Sequence, residues 1–236
     1  MRLLLPLLLA ALVASPLRAD DPVRLRADDP VRLRADDPAR LPAPEPGSYA
    51  LPSLGDAGNG AVLESDGTPT TLHALFDDRV VLLAFIYSAC GDAQGCPMAT
   101  AVFHRVGRLL KDDAETRDRL RVLSLSFDPD RDTPDAMARV AESVAREDLD
   151  WRFLTTRSEA QLLPILSAYG QTRVEERDES GDATGRLAHI LRVFLIDPEG
   201  RIRNIYGASF LEAELVVADV KTLLAETRPP AAGAAP

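Results

Sequence analysis

The chain has 236 residues, 46% of them hydrophobic and 27% charged, the balance of an ordinary globular protein, and its length allows one domain or two small ones. A net charge of −10 argues against nucleic acid as a partner, because phosphates are met by a basic face. Two cysteines exclude a disulfide-rich scaffold and a four-cysteine zinc site.

The first element is an address. Met1-Arg2 precedes the apolar run 3–14, and small residues place a cut after Ala14 or Ala19, the pattern of a secretory signal. Charges resume at Arg18, and a spanning helix needs about 20 apolar residues, so a retained membrane anchor is the weaker alternative. Residues 1–19 are read as a cleaved signal, and the destination is an oxidising compartment, the periplasm. Next, the octapeptide Arg18-Ala-Asp-Asp-Pro-Val-Arg-Leu25 recurs at 26–33 and at 34–41, with Ala39 in the place of Val31. Each unit carries a proline and four charges and cannot build a core. Residues 20–50 are therefore expected to be a disordered, solvated linker, and 228–236 a second disordered end.

The folded domain is expected over 51–227. Asp66-Gly67 marks an opening hairpin. The run 79–87 (RVVLLAFIY) has the length and composition of a buried strand. Residues 97–111 carry Val102, Val106, Leu109 and Leu110 at helical spacing, with Pro97 in the first turn. Residues 121–127 read as a strand, Thr133-Pro134 as the start of a helix to about Arg146, and 151–154 as a short strand. Ser158-x-x-Gln161 is a capping box for a helix ending near Gly170, which Pro164 should bend or shorten. The strands 191–196 and 202–206 flank the turn Asp197-Pro-Glu-Gly200 and form a hairpin. Ser209-x-x-Glu212 caps a last helix through Ala225. The order describes an α/β domain with a central mixed β-sheet flanked by helices.

The chemistry falls at the first strand–helix junction, Cys90-Gly-Asp-Ala-Gln-Gly-Cys96-Pro97. Sites in open α/β sheets lie at the carboxyl ends of strands. Cys96 should sit at or beside a helix N-cap, where backbone N–H groups lower a thiol pKa, and Cys90 lies on the loop within reach of it. The pair could serve as a structural disulfide, a redox dithiol or two soft metal ligands.

Here the chain resembles the Sco/SenC family. The resemblance rests on the strand, the cysteine loop and Cys96-Pro97, on Ser126-Phe-Asp-Pro-Asp-Arg-Asp-Thr-Pro134, on Trp151-Arg-Phe-Leu-Thr155, and on His189 ahead of Leu195-Ile-Asp-Pro-Glu-Gly200. It covers about 60–225. It implies a thioredoxin-like fold with the opening hairpin as an N-terminal extension, and an exported copper protein linked to cytochrome oxidase assembly. It also implies copper held by Cys90, Cys96 and His189, with Cys90 and Cys96 also a redox dithiol. The departure is in spacing: the family separates its cysteines by three residues, this chain by five. The implied donors suit copper, since thiolates select Cu(I) and imidazole serves either oxidation state, whereas zinc normally takes a fourth ligand.

Other residues near the motif have local explanations. His73 lies in the opening segment and His104 off the cysteine face of its helix. Met98 is a soft donor more simply read as packing. Asp128 and Asp132 match the family motif, although an Asp-Pro turn and a capped helix start account for both. The function implied is a copper chaperone for a client such as a cytochrome c oxidase subunit, served by a thiol–disulfide reductant, with the membrane involved only through the client or an uncleaved signal. A partner-specific thiol–disulfide reductase and a non-catalytic binding domain with a structural disulfide are the alternatives, so enzyme status stays open. The client and the oligomeric state are not legible in the sequence.

Overall fold

The computed structural model describes residues 42–90, 95–144 and 149–226. The expected signal, the three octapeptides, the loop residues 91–94, the end of the helix expected near Arg146, and the tail lie outside the described residues. The domain's anchoring reaches back before residue 51. Gly47 N–H donates to Thr222 Oγ1 at 3.0 Å, and the Tyr49 hydroxyl donates to Asp219 Oδ1 at 2.5 Å.

Two strands form the middle of the sheet: β3 (Val80–Ile86) and β4 (Leu120–Ser126), each with all seven residues buried. They pair in parallel, Val80 with Leu120 through Ile86 with Ser126. The continuous apolar run of β3 suits a sheet covered on both faces, and β4 buries Arg121, Ser124 and Ser126 among its apolar residues. β5 (Asp150–Thr155) joins β4 in parallel. β1 (Ala61–Glu64) pairs antiparallel with β5 and with β2 (Pro69–Thr71). Beyond β3, the antiparallel pair β8 (Arg192–Ile196) and β9 (Ile202–Gly207) completes a seven-stranded mixed sheet, ordered β2-β1-β5-β4-β3-β8-β9. The β1–β2 turn is the expected Asp66-Gly67 hairpin: Gly67 takes φ +84°, and Asp66 Oδ1 accepts from Thr68 N–H at 2.8 Å.

Helices cover the sheet. α1 (Cys96–Leu109) buries Ala99, Phe103 and Val106 at helical spacing and packs against α5 (Ala213–Glu226). α3 (Pro134–Val144) lies against β5. α4 (Glu159–Ala168) ends at Tyr169, whose ring meets Phe85 and Phe194 edge-on.

Several local expectations need correction. A short helix, α2 (Ala114–Asp118), was not anticipated; Asp113 caps it by accepting from Thr116 N–H at 3.1 Å. A separate two-stranded hairpin, β6 (Arg173–Arg177) and β7 (Ala183–His189), was also not anticipated. It is charged and largely exposed, so it carries no apolar alternation to read. Neither capping box forms as expected. Ser158 occupies the N-cap without a side-chain bond, and Gln161 Oε1 instead accepts from Arg157 N–H at 3.2 Å. α5 starts after Glu212, whose carbonyl accepts from Val216 N–H at 2.9 Å, leaving Ser209 outside the helix. Pro164 sits inside α4 without ending it.

Candidate metal centre

The site forms where β3, β4 and β7 end. β3 stops at Ile86, and Tyr87 to Cys90 close a turn in which Cys90 N–H donates to Tyr87 O at 3.2 Å. α1 starts at Cys96 with Gly95 as its N-cap and Pro97 in the first turn. Gly95 O accepts from Met98 N–H at 3.1 Å and from Ala99 N–H at 3.3 Å. Cys96 is therefore placed by a helix and Cys90 by a turn.

His189 is the last residue of β7 and stands three residues ahead of the core strand β8; its neighbours on the same face of β7 are Gly185 and Leu187. Its ring packs against two aromatic side chains that follow β3 and β4 and that also touch each other, their centroids 5.1 Å apart. The centroid distances are 5.8 Å to Tyr87 and 4.6 Å to Phe127. The Tyr87 hydroxyl also accepts from Leu187 N–H at 3.4 Å, which ties the hairpin to the sheet.

The ligating atoms of Cys90, Cys96 and His189 all lie within 4.8 Å of one another, and no other cluster of three such groups forms among the described residues. The two cysteines are not joined in a disulfide. His189 Nδ1 lies 3.2 Å from Leu187 O. A carbonyl only accepts, so Nδ1 is the donor of this bond, and Nε2 is the ring nitrogen left for another partner. That Nε2 is buried and has no hydrogen-bond partner. Buried polar atoms are rarely left so, and fixing one imidazole nitrogen by a backbone carbonyl is how proteins orient a metal ligand. Two donors each about 2.0–2.3 Å from one ion lie at most about 4.6 Å apart, close to the 4.8 Å span of this cluster. The residues fit a soft metal ion of copper type: two sulfurs, one imidazole nitrogen, aromatic walls and no carboxylate within the cluster.

The expected lowering of the Cys96 thiol pKa does not occur. The thiol is held well above its ordinary value, chiefly by its hydrogen bond with Cys90 and next by burial. Backbone bonds at Tyr87 and at Cys96 itself work the other way and are outweighed.

The remaining sequence candidates are elsewhere. His73 Nε2 pairs with Ala57 O at 2.9 Å. His104 lies against Trp151 at 5.4 Å. Met98 is part-buried against the core. Asp128 and Asp132 do border the site. Asp128 is raised above the usual carboxylate value by burial and by the charge of Asp132, with Arg131 and Arg173 opposing. Asp132 is completely buried and accepts from Ser88 and Ser126. Sequence reasoning missed Tyr87, Phe127 and Ser88 as site residues. Their position at the carboxyl ends of β3 and β4 was the available signal.

A model of the SCO1/SenC family matches residues 61–225. The chain belongs to the SCO1/SenC family. The SCO1 protein homolog of Bacillus subtilis is 27% identical over 159 residues, spanning 66% of this chain and 77% of that one. The solution structure of apo Sco1 from Thermus thermophilus is 25% identical, with a TM-score of 0.61 over 77% of this chain and 98% of that one. A structure of Bradyrhizobium japonicum ScoI with copper bound is 24% identical, with a TM-score of 0.58 over 71% of this chain and 99% of that one. The α/β architecture expected from the sequence is thus the thioredoxin-like fold of SCO1/SenC proteins, with β1 and β2 as the N-terminal hairpin extension.

Proposed function

We propose that the protein is an exported copper chaperone that holds copper on Cys90, Cys96 and His189 and passes it to a copper centre such as that of cytochrome c oxidase. The observation that carries this reading is the cluster of Cys90, Cys96 and His189, whose ligating atoms lie within 4.8 Å of one another, with the thiols unbridged and His189 Nε2 buried without a partner. Cys90 and Cys96 supply thiolates, which favour Cu(I). His189 supplies a nitrogen donor that adds most to Cu(II). Tyr87 and Phe127 shield the donors from water. Residues 1–19 would direct the chain to the periplasm, where a thiol–disulfide reductant keeps the dithiol available. Ile190, 62% exposed and next to His189 in the chain, offers a client an apolar contact near the site.

The test is a titration of reduced full-length protein with Cu(I) against a chromophoric chelator, and with Cu(II) followed by its sulfur-to-copper charge-transfer bands. One equivalent should bind the reduced protein and none the oxidised one. Equal uptake by the two forms would remove the cysteines from the site. A partner-specific thiol–disulfide reductase is favoured as a second reading by the pairing of half-buried Cys90 with buried Cys96. The first could attack a client disulfide, and the second could resolve the mixed disulfide, ending as a Cys90–Cys96 bridge with the client reduced. Turnover of a model disulfide without copper dependence would select that reading.

A further inference from the structure

The two thiols are placed by different means. Cys96 is built into the first turn of α1. Cys90 ends the Tyr87–Cys90 turn, which Asp132 grips at Ser88. Ser88 N–H donates to Asp132 Oδ2 at 3.0 Å, and the Ser88 hydroxyl donates to Asp132 Oδ1. A third bond reaches the same carboxylate from the end of β4, where Ser126 Oγ–H donates to Oδ2 at 2.6 Å. Asp132 is itself held by its own N–H, which donates to Asp128 O at 2.8 Å. The carboxylate is fully buried, and its bond from Ser126 is buried with it, whereas Ser88 stands at the exposed side of the turn and its two bonds are part-buried. Hydrogen bonds to a carboxylate are about twice as strong as neutral ones.

We propose that Asp132, acting through Ser88, is the positioning residue that sets where the Cys90 sulfur stands relative to Cys96 and His189. The inference rests on the metal-site reading above but concerns preorganisation, not a ligand. On the N-terminal side of Cys90 the turn is held by the Ser88–Asp132 pair, two residues away. Ser126 provides the control. It binds the same carboxylate but belongs to β4 and does not hold the cysteine turn.

The experiment compares Ser88→Ala with Ser126→Ala in the full-length reduced chain. Three quantities are read: Cu(I) affinity by chelator competition, the intensity of the Cu(II)–thiolate band, and the metal-free equilibrium between the Cys90–Cys96 dithiol and disulfide in glutathione buffers. Thermal melting is followed alongside. Losing one charge-assisted bond should weaken Cu(I) binding by about three- to tenfold in Ser88→Ala and shift the glutathione equilibrium toward the dithiol by a similar factor. The Cu(II) band should weaken and broaden. Ser126→Ala should leave all three within about twofold, even where it melts as early. The proposal is overturned if Ser88→Ala changes none of them, or if the two variants change them equally, since the carboxylate would then only support the fold. A wild-type chain that binds no copper would defeat the metal reading alone; the positioning role would then be decided by the glutathione equilibrium.

Discussion

Replacing His189 with alanine separates a ligand from a packing residue, because the structure assigns the ring opposing contributions in the metal-free protein. The substitution removes the contacts with Tyr87 and Phe127, worth about 0.5–1.5 kcal/mol each. It also removes the Nδ1–H bond to Leu187 O, worth about 1 kcal/mol. Against this, it abolishes a buried acceptor with no partner, whose desolvation costs about 1–3 kcal/mol. The terms nearly cancel, so the metal-free variant should melt within about 4 °C of the wild type, the shift that about 1 kcal/mol produces in a domain of this size. The loaded protein behaves differently. Copper at about 100 times its Kd stabilises a binding-competent fold by about 2.7 kcal/mol, and a hundredfold weaker site keeps only about 0.4 kcal/mol of that. Reduced wild type should therefore gain about 5–10 °C on loading with either ion. The variant should keep most of the Cu(I) gain, because two thiolates suffice for linear Cu(I), and lose nearly all of the Cu(II) gain, because Cu(II) calls for nitrogen donors. Scanning fluorimetry of metal-free and loaded protein reads both arms. A metal-free variant destabilised by 10 °C or more, with copper gains unchanged, would make His189 a structural ring and refute the reasoning.

Two further outcomes follow from the same geometry. Iodoacetamide near pH 8 should label Cys90 ahead of Cys96, because Cys96 is 8% exposed and its thiol is held up by the hydrogen bond with Cys90 and by burial; the difference should narrow as pH rises and thiolate forms, and equal labelling in peptide mapping would contradict it. At the opposite end of the sheet, burial alone would raise the Asp150 carboxyl, but the hydrogen bonds and charges of Arg152 and Arg121 outweigh it and hold it below the usual carboxylate range. A group with a depressed folded value contributes its full stability above its unfolded value, near pH 4, and loses it as pH falls through the folded one. Asp150→Asn should thus cost about 2–3 kcal/mol near neutrality and progressively less below about pH 4. A constant gap in denaturant midpoint down to pH 2 would refute the ionic account.

Much of this protein was legible residue by residue. The run 79–87 announces a central strand through its continuous apolar residues, and 121–127 does so through Val122, Leu123, Leu125 and Phe127, with Arg121 buried only by pairing with Asp150. Asp66-Gly67 and Asp197-Pro-Glu-Gly200 announce turns through local backbone preference, which needs no distant partner. The cysteine motif, the Asp128–Pro134 segment and the position of His189 before β8 were enough to point to the SCO1/SenC family. Local signals failed where the deciding interaction is non-local. The hairpin β6–β7 is charged and mostly exposed, so no hydrophobic period marks it, and its placement depends on Leu187 and His189 meeting Tyr87 and Phe127. The direction of the Cys96 pKa shift also followed from what surrounds the thiol in space, where a second sulfur and burial outweigh the helix start. The role of Asp132 was hidden for the same reason. In the sequence it stands next to a helix start, whereas in the fold it bonds to a serine 44 residues earlier and another six residues earlier. Periodicity and turn chemistry are written in neighbouring residues. The meeting of two sulfurs with one imidazole nitrogen depends on which strand ends the sheet brings together.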